Sequence, residues 1–261
     1  MSAQTHMSDW YARFYTATQT SAAYSQYCSE VFGKDFSQHG YSDVTQINRI
    51  LKSSNVKDGD IVLDLGCGNG KMLEYIYNQH NITAHGVDFS ADAIEQAQSR
   101  TRTQQKSLMF KVGLIGDKLF VDNTFDVILS IETIFFGESM AATLNTLLAM
   151  LKPNGVIAAT YMLRKAETDS TGEAFDAHSN DLALALKELN LVYTTTDFTK
   201  PFFEHMRKKR VIAENLKKQF ETEDNLFLYE NIMMESVDKD ICFEDFKTRY
   251  ARYCYFIKEK S

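Results

Sequence analysis

Asp64, Gly66, Gly68 and Gly70 stand at alternate positions in VLDLGCGNGKM (residues 62–72), at the end of an apolar run. Glycines so placed strip side chains from a turn and let a ligand lie against the backbone, while an acid beside them can accept hydrogen bonds or pair with a cation. Two phosphate-binding patterns built on such glycines fail here. The dinucleotide fingerprint G-x-G-x-x-G, started at Gly66, needs glycine where Lys71 stands. The phosphate loop G-x-x-x-x-G-K-[ST] finds its Gly70-Lys71 pair, but Leu65 replaces its first glycine and Met72 its magnesium-binding hydroxyl. A second stretch, HGVDFS, follows at the spacing of one strand–helix–strand unit. Its Asp88 falls where a second strand would end. A carboxylate there accepts hydrogen bonds from both hydroxyls of a ribose, and Phe89 can pack on a purine.

The series Asp64-x-Gly66-x-Gly68-x-Gly70 resembles the first motif of the class I S-adenosylmethionine (SAM) dependent methyltransferases. LFVDNTFDVILS (119–130) is similar to that family's entry into strand four, and MLKPNGVIAAT (150–160) to its turn into strand five. Together with HGVDFS these matches fall in the family's order over about residues 60–162. The resemblance implies SAM as cofactor and S-adenosylhomocysteine as product. It places Asp64, Gly66, Cys67, Gly68 and Gly70 around the methionine part, Asp88 and Phe89 at the nucleoside, and Ser130 and Ile131 at the end of strand four. One position departs from the pattern. Where the family often carries an acid against the adenine amino group, this chain has Leu114 and then Ile115, which implies apolar packing and a backbone N–H from Ile115, with Asp117 as the alternative. VFGKDFSQHGYSDVTQINRIL (31–51) is similar to the entry segment of small-molecule methyltransferases, which brings Tyr41 and Gln46 toward the methionine end and His39 near them.

Methyl transfer from a sulfonium is an in-line displacement, so alignment and exclusion of water carry most of the work, and a base is needed only if the nucleophile must lose a proton. No catalytic triad is expected, and no metal: the six histidines are scattered without ligand spacing. In open α/β sheets ligands sit at the C-terminal edge of the strands. That edge nominates Glu132, as amine-binding group, base or solvated acid, and Tyr161, as substrate-orienting group or pocket cap, with His39 as a third substrate-side candidate. Trp10, Tyr11, Phe14 and Tyr15 recur at helical spacing, and Tyr11, Phe14 and Tyr15 read as core or as a cage for a cation. The basic run RKKR (207–210) reads as a solvated helix face, or else as a contact for an anion or membrane surface.

The elements that must position these groups are readable from periodicity. Residues 1–54 read as a helical cap, with Asp43 able to cap its last helix. From residue 55 to 199 short apolar strands (61–65, 83–90, SLMFKVG, FDVILSIE, GVIAATYM) alternate with helices. The pattern requires right-handed crossovers and a parallel sheet. Ser90 is placed to cap one of those helices, and Pro153 to stop MAATLNTLLAMLK. Residues 200–247 read as a helical insertion, a substrate lid, and 248–261 as a final core strand. The fold class is α/β: a Rossmann-like doubly wound sheet of about seven strands, the last antiparallel, flanked by helical lid segments.

Apolar residues make up 44% of the 261-residue chain and charged residues 24%, the profile of a globular protein with a sizeable core. The net charge of −7 and the lack of an NPPY-type end to strand four point away from nucleic acid. The polar start MSAQTHMSDW and the absence of a long apolar run lead to an expectation of a cytoplasmic protein without integral membrane association. The four cysteines, unpaired in sequence, read as thiols. The expected activity is methyl transfer to N, O or C of a small-molecule acceptor. A non-catalytic SAM-binding sensor or partner subunit and transfer of another group from a SAM derivative are the alternatives, and monomer and homodimer both stay open.

Overall fold

The computed structural model describes residues 3–165 and 175–259. In chain order these form α1 (Ala3–Thr20), α2 (Ala22–Phe32), α3 (Val44–Ser53), β1 (Ile61–Leu65), α4 (Lys71–Gln79), β2 (Thr83–Asp88), α5 (Ala91–Arg100), β3 (Leu108–Val112), β4 (Phe125–Ser130), α6 (Met140–Met150), β5 (Leu151–Arg164), α7 (Asp181–Glu188), β6 (Val192–Asp197), α8 (Thr199–Thr222), α9 (Leu226–Met234), α10 (Phe243–Arg249) and β7 (Tyr250–Lys258). The strands make one sheet in the order β3-β2-β1-β4-β5-β7-β6, parallel except for β7, which runs antiparallel to both β5 and β6. The strand order reverses between β1 and β4, and β1 and β4 pair through Val62–Val127 and Asp64–Leu129. That reversal opens the crevice where ligands bind in doubly wound sheets.

Local chemistry accounts for most of the boundaries. Ser21, Asp43, Ser90 and Asn180 each accept a backbone N–H at a helix start. One boundary differs from the sequence expectation: α6 ends at Met150, and Pro153 lies inside β5 instead of stopping the helix. Proline is tolerated there because the β4–β5 register slips between Phe125 and Val127, so no ladder bond is forfeited. Two apolar layers sandwich the sheet. Leu73, Ile76, Ile94 and Phe14 belong to the layer that α1–α5 share with α8 and α9, and Leu144, Leu147, Leu182 and Leu186 to the layer of α6 and α7. A third cluster, Phe202, Phe203, Met206 and Phe246, packs α8 against α10. None of the helices described is long and apolar enough to cross a membrane. All four cysteines are free thiols, and Cys28, Cys67 and Cys254 are buried.

Candidate active site

β1 delivers the glycine turn to the crevice. Gly66, Gly68 and Gly70 all take left-handed φ angles of +73°, +54° and +75°. Their surroundings differ. A Cβ on Gly66 would come within 2.3 Å of Thr133, and one on Gly68 within 2.4 Å of the Tyr15 hydroxyl, so both backbones are pressed against neighbours across the crevice. Gly70 faces the other way. Its Cβ would meet Phe110 and Ala97, so this glycine, expected at the cofactor, packs against α5 and β3 and does not line the cavity.

Two carboxylates mark the ends of β1 and β2. Asp64 is buried, and neither of its oxygens has a hydrogen-bond partner. Burial, with a smaller contribution from Asp88, pushes its carboxyl up to about 8. Asp88 accepts from the Gly68 and Ser90 backbone N–H groups, both at 2.9 Å. Burial raises its carboxyl, against the pull of those N–H donors and that of Phe89. Each Asp88 oxygen keeps a further lone pair, and the residue lines a cavity of about 800 Å³. That volume lies within the ~300–1,000 Å³ typical of small-molecule sites.

Phe89, Leu114, Ile115, Ile131, Tyr41 and His39 share that cavity with Asp88 and Glu132. Cys67 and Gly68 open on a smaller recess that also meets His39, Ile131 and Glu132. The Asp117 carboxylate turns back to accept from the Leu114 N–H at 2.9 Å, so the two rivals for the adenine position stand in one turn on the cavity wall. Three other expected residues lie elsewhere. Ser130 is fully buried and bonds Thr133, whose hydroxyl in turn ties the loop after β4 to the Leu65 carbonyl. Tyr161 packs on the α6–α7 layer, edge-on to Phe135 at the cavity mouth, while its neighbour Met162 lines the cavity, as the two-residue alternation of a strand dictates. Gln46 is buried with its amide spent on the Tyr41 carbonyl and on Arg252, and lines neither cavity nor recess.

Glu132 is not a solvated acid. It takes a left-handed φ of +64°, rare for a residue with a side chain, and its N–H donates to Thr160 at 2.7 Å. Its carboxylate accepts from the Tyr41 N–H at 2.8 Å and pairs with Arg252. Arg252, wholly buried on β7, also donates to Ser42 and Gln46, both at 2.5 Å. His39 meets Glu235 at 2.5 Å through Nε2. Glu235 also pairs with Lys209 at 3.0 Å. Burial would raise the Glu235 carboxyl, but Lys209 and His39 outweigh it and hold it down to about 2. Lys209 belongs to RKKR and is 2% exposed, which corrects the solvated reading for that residue, whereas Arg207 and Lys208 are exposed.

Arg252, Lys209 and Glu235 carry no local motif and are not reached by sequence reasoning. The one available signal lies on α8, where Phe202, Met206, Lys209, Ala213, Leu216 and Phe220 form the buried stripe. A lysine on an apolar stripe needs a buried partner. Of the N-terminal aromatics, Phe14 is buried in the core, whereas Tyr11 and Tyr15 also border the cavity. Among the described residues no cluster of metal-ligating side chains occurs.

Residues 56–223 match the profile of a methyltransferase domain family. Phosphoethanolamine N-methyltransferase 1 of Arabidopsis thaliana is 32% identical over 140 residues, which are 54% of this chain and 28% of that protein. The chain thus aligns with little more than a quarter of that relative's length. Among solved structures, phosphoethanolamine N-methyltransferase 2 of Haemonchus contortus, in complex with phosphomonomethylethanolamine and S-adenosylhomocysteine, superposes with a TM-score of 0.72 at 18% identity, over 90% of this chain and 57% of that one. The [4+2]-cyclase SpnF superposes with a TM-score of 0.65 at 15% identity, over 93% and 96% of the two chains. At these identities the superpositions establish the fold.

Proposed function

The chain belongs to the class I SAM-dependent methyltransferases, and from that premise we propose that it transfers a methyl group from SAM to a small-molecule acceptor in the cavity between β4, β5 and the segments 1–54 and 200–247. The observation that carries this is Asp88, a strand-end carboxylate beside the glycine turn with lone pairs left over on the cavity wall; Asp64, with two orphaned oxygens, lies behind the turn and lines neither cavity nor recess. Asp88 suits a ribose diol, and an ammonium bound at the turn would favour the ionised form of Asp64 behind it. Gly66 and Gly68 let the turn lie close against Thr133 and Tyr15 at the crevice, and Phe89, Leu114 and Ile115 suit an adenine ring. The bound cofactor supplies an electrophilic methyl on a positively charged sulfur.

The residues of the chain do the rest. Tyr11, Tyr41 and Met162 close the cavity around the acceptor and exclude water. His39 donates Nε2–H to Glu235, which fixes the tautomer and leaves Nδ1 as the basic nitrogen, the arrangement of an oriented general base. Lys209 keeps Glu235 ionised for that purpose. Segment 200–247 supplies both Lys209 and Glu235, and we assign it the role of a lid; the segmentation into cap 1–54, core 55–199, lid 200–247 and strand 248–261 is part of the same proposal. The acidic chain acts without nucleic acid and within the cytoplasm in this reading.

Calorimetric titration with SAM and S-adenosylhomocysteine tests it. Micromolar binding of both, weakened at least about 100-fold in Asp88→Ala as the loss of two hydrogen bonds to a charged group requires, is the expected result. Absence of binding by either ligand would refute it. SpnF gives a second reading some ground, since that cyclase shares the fold; binding of both ligands without methyl transfer to any acceptor would favour it.

A further inference from the structure

Five carboxylates line the cavity: Asp88, Asp117, Glu132, Glu138 and Glu235, with Asp88 in the nucleoside position. No lysine or arginine stands among the described residues that line it. Two cations that touch its lining carboxylates are committed behind the wall. Arg252 is fully buried and pairs with Glu132, and Lys209 is 2% exposed and pairs with Glu235. Each pair is internally neutral, and with Asp117 in the turn at the adenine position, the exposed Glu138 leaves the acceptor side with an excess of negative charge. The apolar part of the wall combines rings with aliphatic groups: Tyr11 lies inside with Ile131 and Met162, and Phe135 and Phe136, each nearly half exposed, form the rim. Carboxylates and ring faces both attract an ammonium group and both repel a phosphate.

Resting on the methyltransferase reading, we propose that the acceptor is an amine carried on an apolar or aromatic body and lacking phosphate, in contrast to the phosphoethanolamine named for the relatives. The amine arrives as its ammonium form against the acidic wall. One N–H proton passes to Nδ1 of His39. The freed nitrogen lone pair then forms the bond to the methyl carbon as the carbon–sulfur bond breaks, its electron pair staying on sulfur, which becomes a neutral thioether. The methylated amine keeps one positive charge, and the proton on His39 leaves to solvent.

The test uses the full chain saturated with S-adenosylhomocysteine. Phenethylamine, tyramine, tryptamine and phosphoethanolamine are titrated calorimetrically, then each is assayed for methyl uptake from labelled SAM. At least one arylalkylamine is expected to bind at least tenfold tighter than phosphoethanolamine and to take up label. Equal or tighter binding of phosphoethanolamine overturns the proposal. So does binding of none of the four while S-adenosylhomocysteine binds, and in that case the methyltransferase reading survives. Failure of S-adenosylhomocysteine itself to bind refutes that reading and the acceptor class with it. Glu138→Lys, at an exposed position that folding does not depend on, is expected to shift the ratio of phosphoethanolamine to arylalkylamine binding at least threefold toward phosphoethanolamine at low salt. An unchanged ratio removes the electrostatic basis of the proposal.

Discussion

The glycine cradle and the acidic wall face each other across one cavity and are built on opposite principles. The cradle is local: Asp64, Gly66, Gly68 and Asp88 come from a single β1-α4-β2 unit, and backbone groups do most of the work. The wall is assembled from far apart. Arg252 reaches Glu132 across 120 positions and Ser42 across 210, and Lys209 and Glu235 come from α8 and the C-cap of α9. A local site fails in affinity when damaged, whereas a site assembled from buried charges fails in stability.

Variants of the two regions can break that contrast. Arg252→Met carries the largest expected effect. It strands the Glu132 carboxylate and the hydroxyl of Ser42, and breaking a buried pair costs roughly 3–5 kcal/mol. Denaturant unfolding checks it, and a loss below about 1 kcal/mol would show that the wall is not held by this charge. Lys209→Met leaves Glu235 with His39 alone and is expected to cost somewhat less, about 2–3 kcal/mol, because Glu235 is partly exposed. Its carboxyl, at present held near 2, should rise in the variant. Stability that Glu235 contributes is present above its unfolded value near 4.3 and is lost as pH falls toward 2, so the difference between wild type and variant should shrink on acidification.

On the cradle side, Asp64→Asn is expected to weaken S-adenosylhomocysteine binding about tenfold or more while stabilising the ligand-free protein. The sign follows from its raised carboxyl. The folded group stays protonated up to about 8 while the unfolded one ionises near 4, so the wild type loses stability as pH rises between those values. Melting curves should therefore coincide near pH 4 and diverge toward pH 8, with the variant higher. Parallel curves would show that Asp64 has a partner in solution. Gly68→Ala sharpens the comparison at the smallest scale: a left-handed φ and a Cβ 2.4 Å from the Tyr15 hydroxyl should cost about 1–2 kcal/mol, with ligand affinity falling alongside.

The same division explains what could be read in advance. Strands β1 to β5, the Asp64–Gly70 series and Asp88 are legible because turn chemistry and periodicity act over a few residues. Gly70 and Tyr161 belong to these motifs but do not line the cavity, since which face a residue takes is decided by packing against Phe110 or by strand parity, not by spacing. Gln46 was reached by resemblance, yet its amide is claimed by Arg252, which no pattern near residue 46 announces. Glu132 was singled out for its place after β4, but its buried partner, and with it the acid's role as a wall, depends on a strand that follows about 120 residues later.

The placement of β7 between β5 and β6 has a consequence for biosynthesis. β6 leaves the ribosome before β7, yet among the described residues its neighbour in the sheet is β7 alone. Until Tyr250–Lys258 emerges, the nascent chain carries an open edge along β5, an unpaired β6, and a Glu132 carboxylate with no counter-ion. Such an edge is a template for association with other chains. The strand that closes the sheet also delivers Arg252, so the acceptor wall and protection from aggregation are completed in one late event, and an emerging chain held by a chaperone until that point has no working acceptor site to expose.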